Sequence, residues 1–214
     1  MKEIRFEPGE REEWLYTRRG KITGSRLKAA LAKPRDGGKN ITFYELVAEK
    51  LGMPPENDEN QMERGARLEA DALERFKAET KKEVDTSLIL WHRDENENIA
   101  ISPDGVIGRT EAVEAKCLSS ARHIEGFLTK KIPADYEYQV LQYFIVNDEL
   151  ETLHFVFFDP RFAMFSDPSG KQAKIDYFVI EVKREEVQAQ VEDILTRERV
   201  MMVEVNSVVN QLTF

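Results

Sequence analysis

Ile101-Ser-Pro-Asp-Gly-Val-Ile-Gly-Arg-Thr-Glu-Ala-Val-Glu-Ala-Lys-Cys117 is the stretch that decides how this chain folds and where its chemistry sits. It reads as a strand, a turn and a second strand. Asp104 stands just past the first strand, between Pro103, whose ring fixes its own φ, and Gly105, which tolerates unusual backbone angles. Glu114 and Lys116 are two apart on the second strand and therefore share a face. Ala115 points its side chain the other way, and its carbonyl can lie along the same edge. Two carboxylates and a backbone carbonyl are hard oxygen ligands of the kind Mg²⁺ accepts, with water and a phosphate completing the octahedron. A lysine beside them can hold or deprotonate an attacking water and offset charge that develops on phosphate. The plain alternative is an exposed hairpin with charges on its solvent face. The apolar neighbours of Glu114 and Lys116, and the Ser-Pro before Asp104, weigh against it.

Outward from this stretch, 214 residues fit one domain, 1–214, with a sizeable core, and no repeat, low-complexity tract or linker divides them. No apolar run is long enough to span a membrane, and Met1 to Glu7 lacks the apolar centre of a signal peptide. The single cysteine, Cys117, excludes an internal disulfide framework and any four-cysteine cluster carried by one chain, so a reducing cytosol is the expected compartment. The net charge of −9 is awkward for a protein that binds nucleic acid. Local distribution decides where phosphate docks, however, and basic residues do cluster. Arg18, Arg19, Lys21, Arg26 and Lys28 form one group, Lys33, Arg35 and Lys39 a second, and Arg122, Lys130 and Lys131 a third. Acids gather between Glu56 and Glu63 and near the C-terminus.

The periodicity predicts a short helix from Glu10 to Arg19 with Trp14 and Leu15 inward. A Gly-containing break follows, then a helix capped by Thr23 or Ser25 that runs to about Leu31. After a loop from Pro34, Thr42 to Glu45 has the spacing of a capping box and opens a helix ending near Gly52. Gln61 to Thr80 is a long helix with Gly65, Leu68, Ala72, Leu73 and Phe76 as its apolar stripe, and Glu69 borders that stripe. Ser87–His92, Ile99–Ser102, Val106–Ile107 and Ala112–Cys117 are expected to be strands of an antiparallel meander. Helices follow over Ser119–Leu128 and Pro133–Val146, with Gln139 and Tyr143 one turn apart on the second. Leu153–Phe158 is a strand too continuously apolar to be exposed, and Ile175–Val182 is another. A last helix runs from Glu185 to about Val203, before an apolar tail expected to pack on the core or on another subunit. This order defines an α+β, or mixed α/β, domain in which helices flank a central mixed sheet.

Pro103-Asp104 followed by Glu114-Ala-Lys116 resembles the active-site motif of the PD-(D/E)XK nucleases. Other segments extend the match. Trp14-Leu-Tyr-Thr-Arg-Arg-Gly-Lys-Ile-Thr-Gly-Ser25, Gly65-Ala-Arg-Leu-Glu69-Ala-Asp-Ala, Tyr136-Glu-Tyr-Gln139-Val and Tyr177-Phe-Val-Ile fall in the order found in the lambda exonuclease, or YqaJ-type, family of phage recombination nucleases. The resemblance spans Trp14 to roughly Val182. It implies a restriction-endonuclease-like core and an exonuclease that digests linear duplex DNA from 5′-phosphorylated ends, leaving 3′ single strands for annealing. It also implies two Mg²⁺ ions, replaceable by Mn²⁺. Asp104, Glu114 and the Ala115 carbonyl would hold metal, Glu69 would serve near the second ion or its waters, and Lys116 would position or activate water. Gln139 would support the site, and Arg18, Ser25 and Arg122 would form the 5′-phosphate pocket. A homotrimeric ring and a single-strand annealing partner are implied as well. The family often has Ala where Gly24 stands, and a second glutamine of some members is Leu141 here. Tyr143 is read as packing before function. His92 and His154 are read as structural, His123 as a residue that could touch DNA, and Cys117 as an ordinary half-buried thiol. The competing readings are a restriction- or repair-type endonuclease on the same core and a DNA-binding module without cleavage. The intact Asp104, Glu114, Lys116 set argues against the module.

Overall fold

The computed structural model describes residues 1–32, 40, 42–43, 46, 59–118, 120–164 and 175–213, with the backbone alone at 59–66, 120–121 and 164. In chain order the elements are β1 (Lys2–Phe6), α1 (Arg11–Thr17), α2 (Gly24–Leu31), α3 (Glu59–Thr80), β2 (Leu88–His92), β3 (Ala100–Ile101), β4 (Gly105–Ile107) and β5 (Glu111–Lys116). Then come α4 (Ser120–Thr129), α5 (Glu137–Val146), β6 (Thr152–Phe158), α6 (Arg161–Met164), β7 (Tyr177–Lys183) and α7 (Arg184–Leu212). The Lys33, Arg35 and Lys39 group, Glu56, Asp58 and most of the helix expected after Thr42 lie outside the described residues, and Glu59 and Glu63 are described by backbone alone.

The expected α+β architecture holds, but the expected meander does not. β1, β2 and β3 form one antiparallel sheet, and β4, β5, β6 and β7 form another, in those orders. The chain leaves the first sheet after Ile101 and enters the second at Gly105, so Ser102-Pro103-Asp104 is a crossover between sheets. Two-residue alternation identifies strands but carries no information about which strand is the neighbour. β1 is a strand the periodicity reading did not assign. Its Ile4 and Phe6 turn inward against Leu88, Leu90, Ala100 and Trp14.

β6 is the centre of the second sheet, parallel to β5 and antiparallel to β7. Its continuous apolar run is explained by cover on both faces. Leu153, Phe155 and Phe157 join the core that includes Val140 and Phe144 of α5 and Val191 and Ile194 of α7. Val156 joins Ala72, Leu73 and Phe76 of α3 on the other face. β5 alternates in the same way: Val113 and Ala115 meet α3, while Ala112 faces the α5 core. Glu114 and Lys116, in step with Ala112, therefore face α5.

Two helix boundaries differ from expectation. Pro133 does not open α5; a turn closed by Tyr136 N–H to the Pro133 carbonyl, at 2.9 Å, precedes it. α7 does not stop near Val203. Met201, Met202 and Val205 continue its buried stripe, and Val208 and Val209 pack against the same core, so the apolar tail is helix as far as Leu212.

Candidate active site

Asp104 gains its position from where β4 begins. β4 pairs with β5 from Gly105 opposite Val113 to Ile107 opposite Glu111, which leaves the β5 edge uncovered beyond Val113. Asp104 takes the next place along that edge, and the Ala115 N–H donates to its Oδ2 at 2.8 Å. The N–H and C=O of one strand residue point to the same side. The Ala115 carbonyl therefore faces the Asp104 side. Gly105 is required here by crowding and not by its φ, which is not among the positive values of the described glycines. A Cβ on it would stand 2.6 Å from Val84 Cγ1 and 3.3 Å from Val113 Cβ.

Glu114 is 1% exposed and is gripped from α5. Gln139 Nε2 donates to its Oε1 at 2.6 Å, and the Tyr143 hydroxyl donates to Oε2. Lys116 Nζ forms an ion pair with Oε1. Gln139 and Tyr143, one turn apart, thus hold one oxygen each. Tyr143 is fully buried in the core, as the packing reading expects, and its hydroxyl also reaches Glu114. The signal for that contact was its four-residue spacing from Gln139; what the sequence lacked was the register of α5 against β5.

The charges act on one another strongly. Burial pushes the Asp104 carboxyl well above the ordinary carboxylate range, and Glu114 and Glu69 push it further. Burial, followed by the like charge of Glu114, raises Glu69 against the pull of Lys116. Burial disfavours the charged Lys116, but Glu114 and Asp104 outweigh it and raise its pKa, so the lysine is a cation at neutral pH. As a cation it is placed to offset negative charge beside Glu114 and Asp104. Tyr143 is raised well above its ordinary value by burial and then by Glu114 and Asp104, which keeps it a donor.

These groups line a cavity of about 620 Å³ that also receives Glu69 from α3, Ser25 from α2 and Arg18 from the end of α1. Arg18 lies over the Trp14 ring, 4.2 Å from its centroid. Burial lowers its pKa to about 10, against the opposing pull of Asp104 and Glu114, so it remains charged at neutral pH. Trp14 Nε1 and Ser102 Oγ, both at the cavity wall, are buried donors with no partner among the described residues. Arg122 is not brought to this cavity. Its guanidinium contacts Glu125 at 2.7 Å and Asp135 at 3.8 Å, and Asp135 also pairs with Lys28. The resemblance implied a place for Arg122 in the phosphate pocket, but its guanidinium turns toward Glu125 of α4 and Asp135 beyond it.

His123 is buried between Phe157, Phe162 and Phe178, with Nε2 at the Ile175 carbonyl, so it is not a surface contact. His154 bridges Glu111 and Glu181, and His92 Nδ1 lies 3.0 Å from the Arg93 carbonyl; both are structural. Cys117 is half-buried, and burial pushes its thiol up to about 12.

The donor set suits a hard divalent cation. Asp104, Glu114 and Glu69 carry more negative charge than Lys116 offsets, and the Ala115 carbonyl faces the same edge. Among the described residues no three His, Cys, Asp or Glu side chains form a cage. A hard divalent cation such as Mg²⁺ keeps several waters and would take only one or two of these carboxylates. Glu114 would give up one of its present donors to bind it.

Together these features define an α+β protein with a carboxylate–lysine centre at a sheet edge. Residues 13–149 match the family model of the YqaJ-like viral recombinase domain, and the chain belongs to that family. Among solved structures it is similar to an alkaline exonuclease, LHK-Exo, from Laribacter hongkongensis, at 27% identity and a TM-score of 0.75, with 94% of this chain and 95% of that chain covered. The same exonuclease in complex with dAMP aligns at 26% identity and a TM-score of 0.74, covering 94% and 97%. A phage related exonuclease from Haemophilus somnus 129PT shares the fold at 15% identity and a TM-score of 0.61, covering 90% and 96%. Comparison with curated proteins finds no match. No helix among the described residues is long and apolar enough to cross a membrane.

Proposed function

We propose that the chain is a metal-dependent exodeoxyribonuclease of the PD-(D/E)XK type. It hydrolyses linear duplex DNA from 5′-phosphorylated ends, in the 5′-to-3′ direction, and leaves 3′ single strands for recombination by annealing. Family membership and likeness to an alkaline exonuclease support the nuclease role. The observation that carries the finer reading is convergence: Asp104, Glu114 and Lys116 share one cavity with Arg18 and Ser25.

Asp104, Glu114 and the Ala115 carbonyl would hold Mg²⁺ or Mn²⁺, with Glu69 near a second ion or its waters. The chemistry such an ion would supply when bound is polarisation of the scissile phosphate and activation of water for attack at neutral pH. Gln139 and Tyr143 fix the orientation of Glu114. Lys116, as a cation, offsets the negative charge that grows on the phosphate as water adds. Arg18, steadied by Trp14, presents a forked pair of donors to the terminal phosphate, and Ser25 adds a hydroxyl. A terminal phosphate carries more charge than an internal one, so it is the better ligand of that pocket. A homotrimeric ring and a single-strand annealing partner complete the reading. The exposed Val200, Val203 and Leu212 of α7 offer apolar surface for a subunit contact.

The test compares linear duplex with 5′-phosphate, linear duplex with 5′-hydroxyl, and closed circular DNA, each in Mg²⁺ and in EDTA. Wild type is expected to prefer the phosphorylated end, to leave circles intact and to stop in EDTA. Arg18→Ala is expected to lose most of the preference, at a cost of about 1.5–3 kcal/mol in phosphate binding. Arg122→Ala is expected to keep it. Cutting of circles favours an endonuclease, and full activity in EDTA overturns the metal centre.

A further inference from the structure

Arg11, Trp14 and Arg18 recur at intervals of three and four residues, so they lie along one side of α1 and its end. All three line the cavity. The two arginines approach the same indole: the guanidinium carbon of Arg18 is 4.2 Å from its centroid and that of Arg11 is 5.8 Å. Arg18 is half-buried and acts on Asp104 and Glu114 at the inner end. Arg11 is exposed, at the outer end, and its charge acts on Glu69 of α3. The positive wall of the cavity therefore runs from the carboxylate centre out to the rim. The indole Nε1 on that wall is a buried donor with no partner among the described residues. The 5′-phosphate pocket uses Arg18 and Ser25, and it leaves Arg11 and the indole N–H without a role.

We propose that Arg11 and Trp14 form a second DNA subsite beside that pocket. Arg11 holds an internal phosphate of the bound strand. Trp14 carries the sugar and base between that phosphate and the terminal one, with Nε1–H donating to an oxygen of the strand. The subsite rests on the nuclease reading above. A nucleic-acid strand alternates anionic phosphates with flat, weakly polar bases, and the wall alternates cation, aromatic ring and cation in matching order. Aromatic rings bind bases of any sequence, and arginines hold phosphates without reading them. The subsite therefore adds grip near the end without adding sequence preference.

The experiment measures binding of a short labelled duplex by fluorescence anisotropy across a salt series, with Ca²⁺ in place of Mg²⁺ to prevent cutting. The duplex carries either a 5′-phosphate or a 5′-hydroxyl. Arg11→Gln, at an exposed position, is expected to weaken both duplexes by the same factor, about 3- to 10-fold. It is also expected to lower the slope of log affinity against log salt by about 1, because one internal phosphate contact is lost. The preference for the phosphorylated end stays. Trp14→Phe keeps a ring in the cluster with Phe6, Leu90 and Ala100 and is expected to weaken both duplexes with no change in slope. Wild-type affinity and slope in Arg11→Gln overturn the subsite. Loss of the end preference alone moves Arg11 into the terminal pocket and overturns the internal-phosphate assignment. A wild-type protein that binds neither duplex overturns the nuclease reading, and the subsite with it.

Discussion

Two glutamates are buried against the same helix and live in opposite conditions. Glu114 is 1% exposed and Glu198 is 0% exposed, and α5 touches both. Gln139 and Tyr143 of α5 hold Glu114, while Gln142 holds Glu198 through Nε2 at 2.9 Å. Glu114 has a lysine in contact and a cavity in front of it. Glu198 lies on the stripe of α7 between Ile194 and Met201, and the charged group that pulls on it is Arg93, itself committed to Glu95 and Asp148. Burial therefore drives Glu198 up to about 8, against the Gln142 hydrogen bond and Arg93, and it holds a proton at neutral pH. Glu198 Oε2 is buried with no partner among the described residues, and protonation gives the carboxyl a hydrogen to donate. A buried carboxylate with a cation and an opening is equipped for chemistry; one with neither is a neutral piece of the core.

The largest effect is expected at the charged member of the pair. Glu114→Gln keeps the shape and most hydrogen bonds but removes the charge. It should reduce cleavage of phosphorylated duplex by about 10³-fold or more in a single-turnover assay, with thermal unfolding near wild type. Substantial remaining activity would make Glu114 another Glu198, a structural residue.

At the neutral member the effect falls on stability and depends on pH. The folded value of about 8 lies above the ordinary 4.5, so the folded state binds the extra proton. Its contribution is full below about 4.5, is lost as pH rises to about 8, and is constant above that. Glu198→Gln cannot ionise. Relative to this variant, wild type should lose on the order of a few kcal/mol between pH 5 and 9, read from urea unfolding at each pH. Parallel curves for the two proteins would mean that Glu198 is already ionised in the fold.

Much of the candidate site was legible because strand and helix periods decide faces. Two-residue spacing placed Glu114 and Lys116 together, and four-residue spacing placed Gln139 and Tyr143 together. Glu198 was legible in the same way, four residues after Ile194 on the stripe of Val187, Val191 and Ile194, but a charged residue in that stripe was not taken as inward. What periodicity does not carry is register between elements that are distant in sequence. It therefore missed the partition of the strands between two sheets, the contact of Tyr143 with Glu114, and the turning of Arg122 toward Glu125 and Asp135. Arg11 went unnoticed because an exposed arginine at a helix start has no signature until its neighbours across a cavity are known.

The smallest expected effect sharpens the boundary between the two sites. Tyr143→Phe removes one donor from Glu114 Oε2 and leaves Gln139 and Lys116 in place. It should cost about 1–2 kcal/mol of stability and slow cleavage by about tenfold, measured by urea unfolding and initial rates. Loss of stability without a rate effect would assign Tyr143 to packing alone.

Binding of Mn²⁺, followed by electron paramagnetic resonance titration of wild type, Glu114→Gln and Glu198→Gln, tests the central claim most directly. It reads the cation itself, apart from any cleavage. The account predicts that wild type and Glu198→Gln bind Mn²⁺ with equal affinity, and that Glu114→Gln loses most of that binding while remaining folded. Undiminished Mn²⁺ affinity in Glu114→Gln would contradict it.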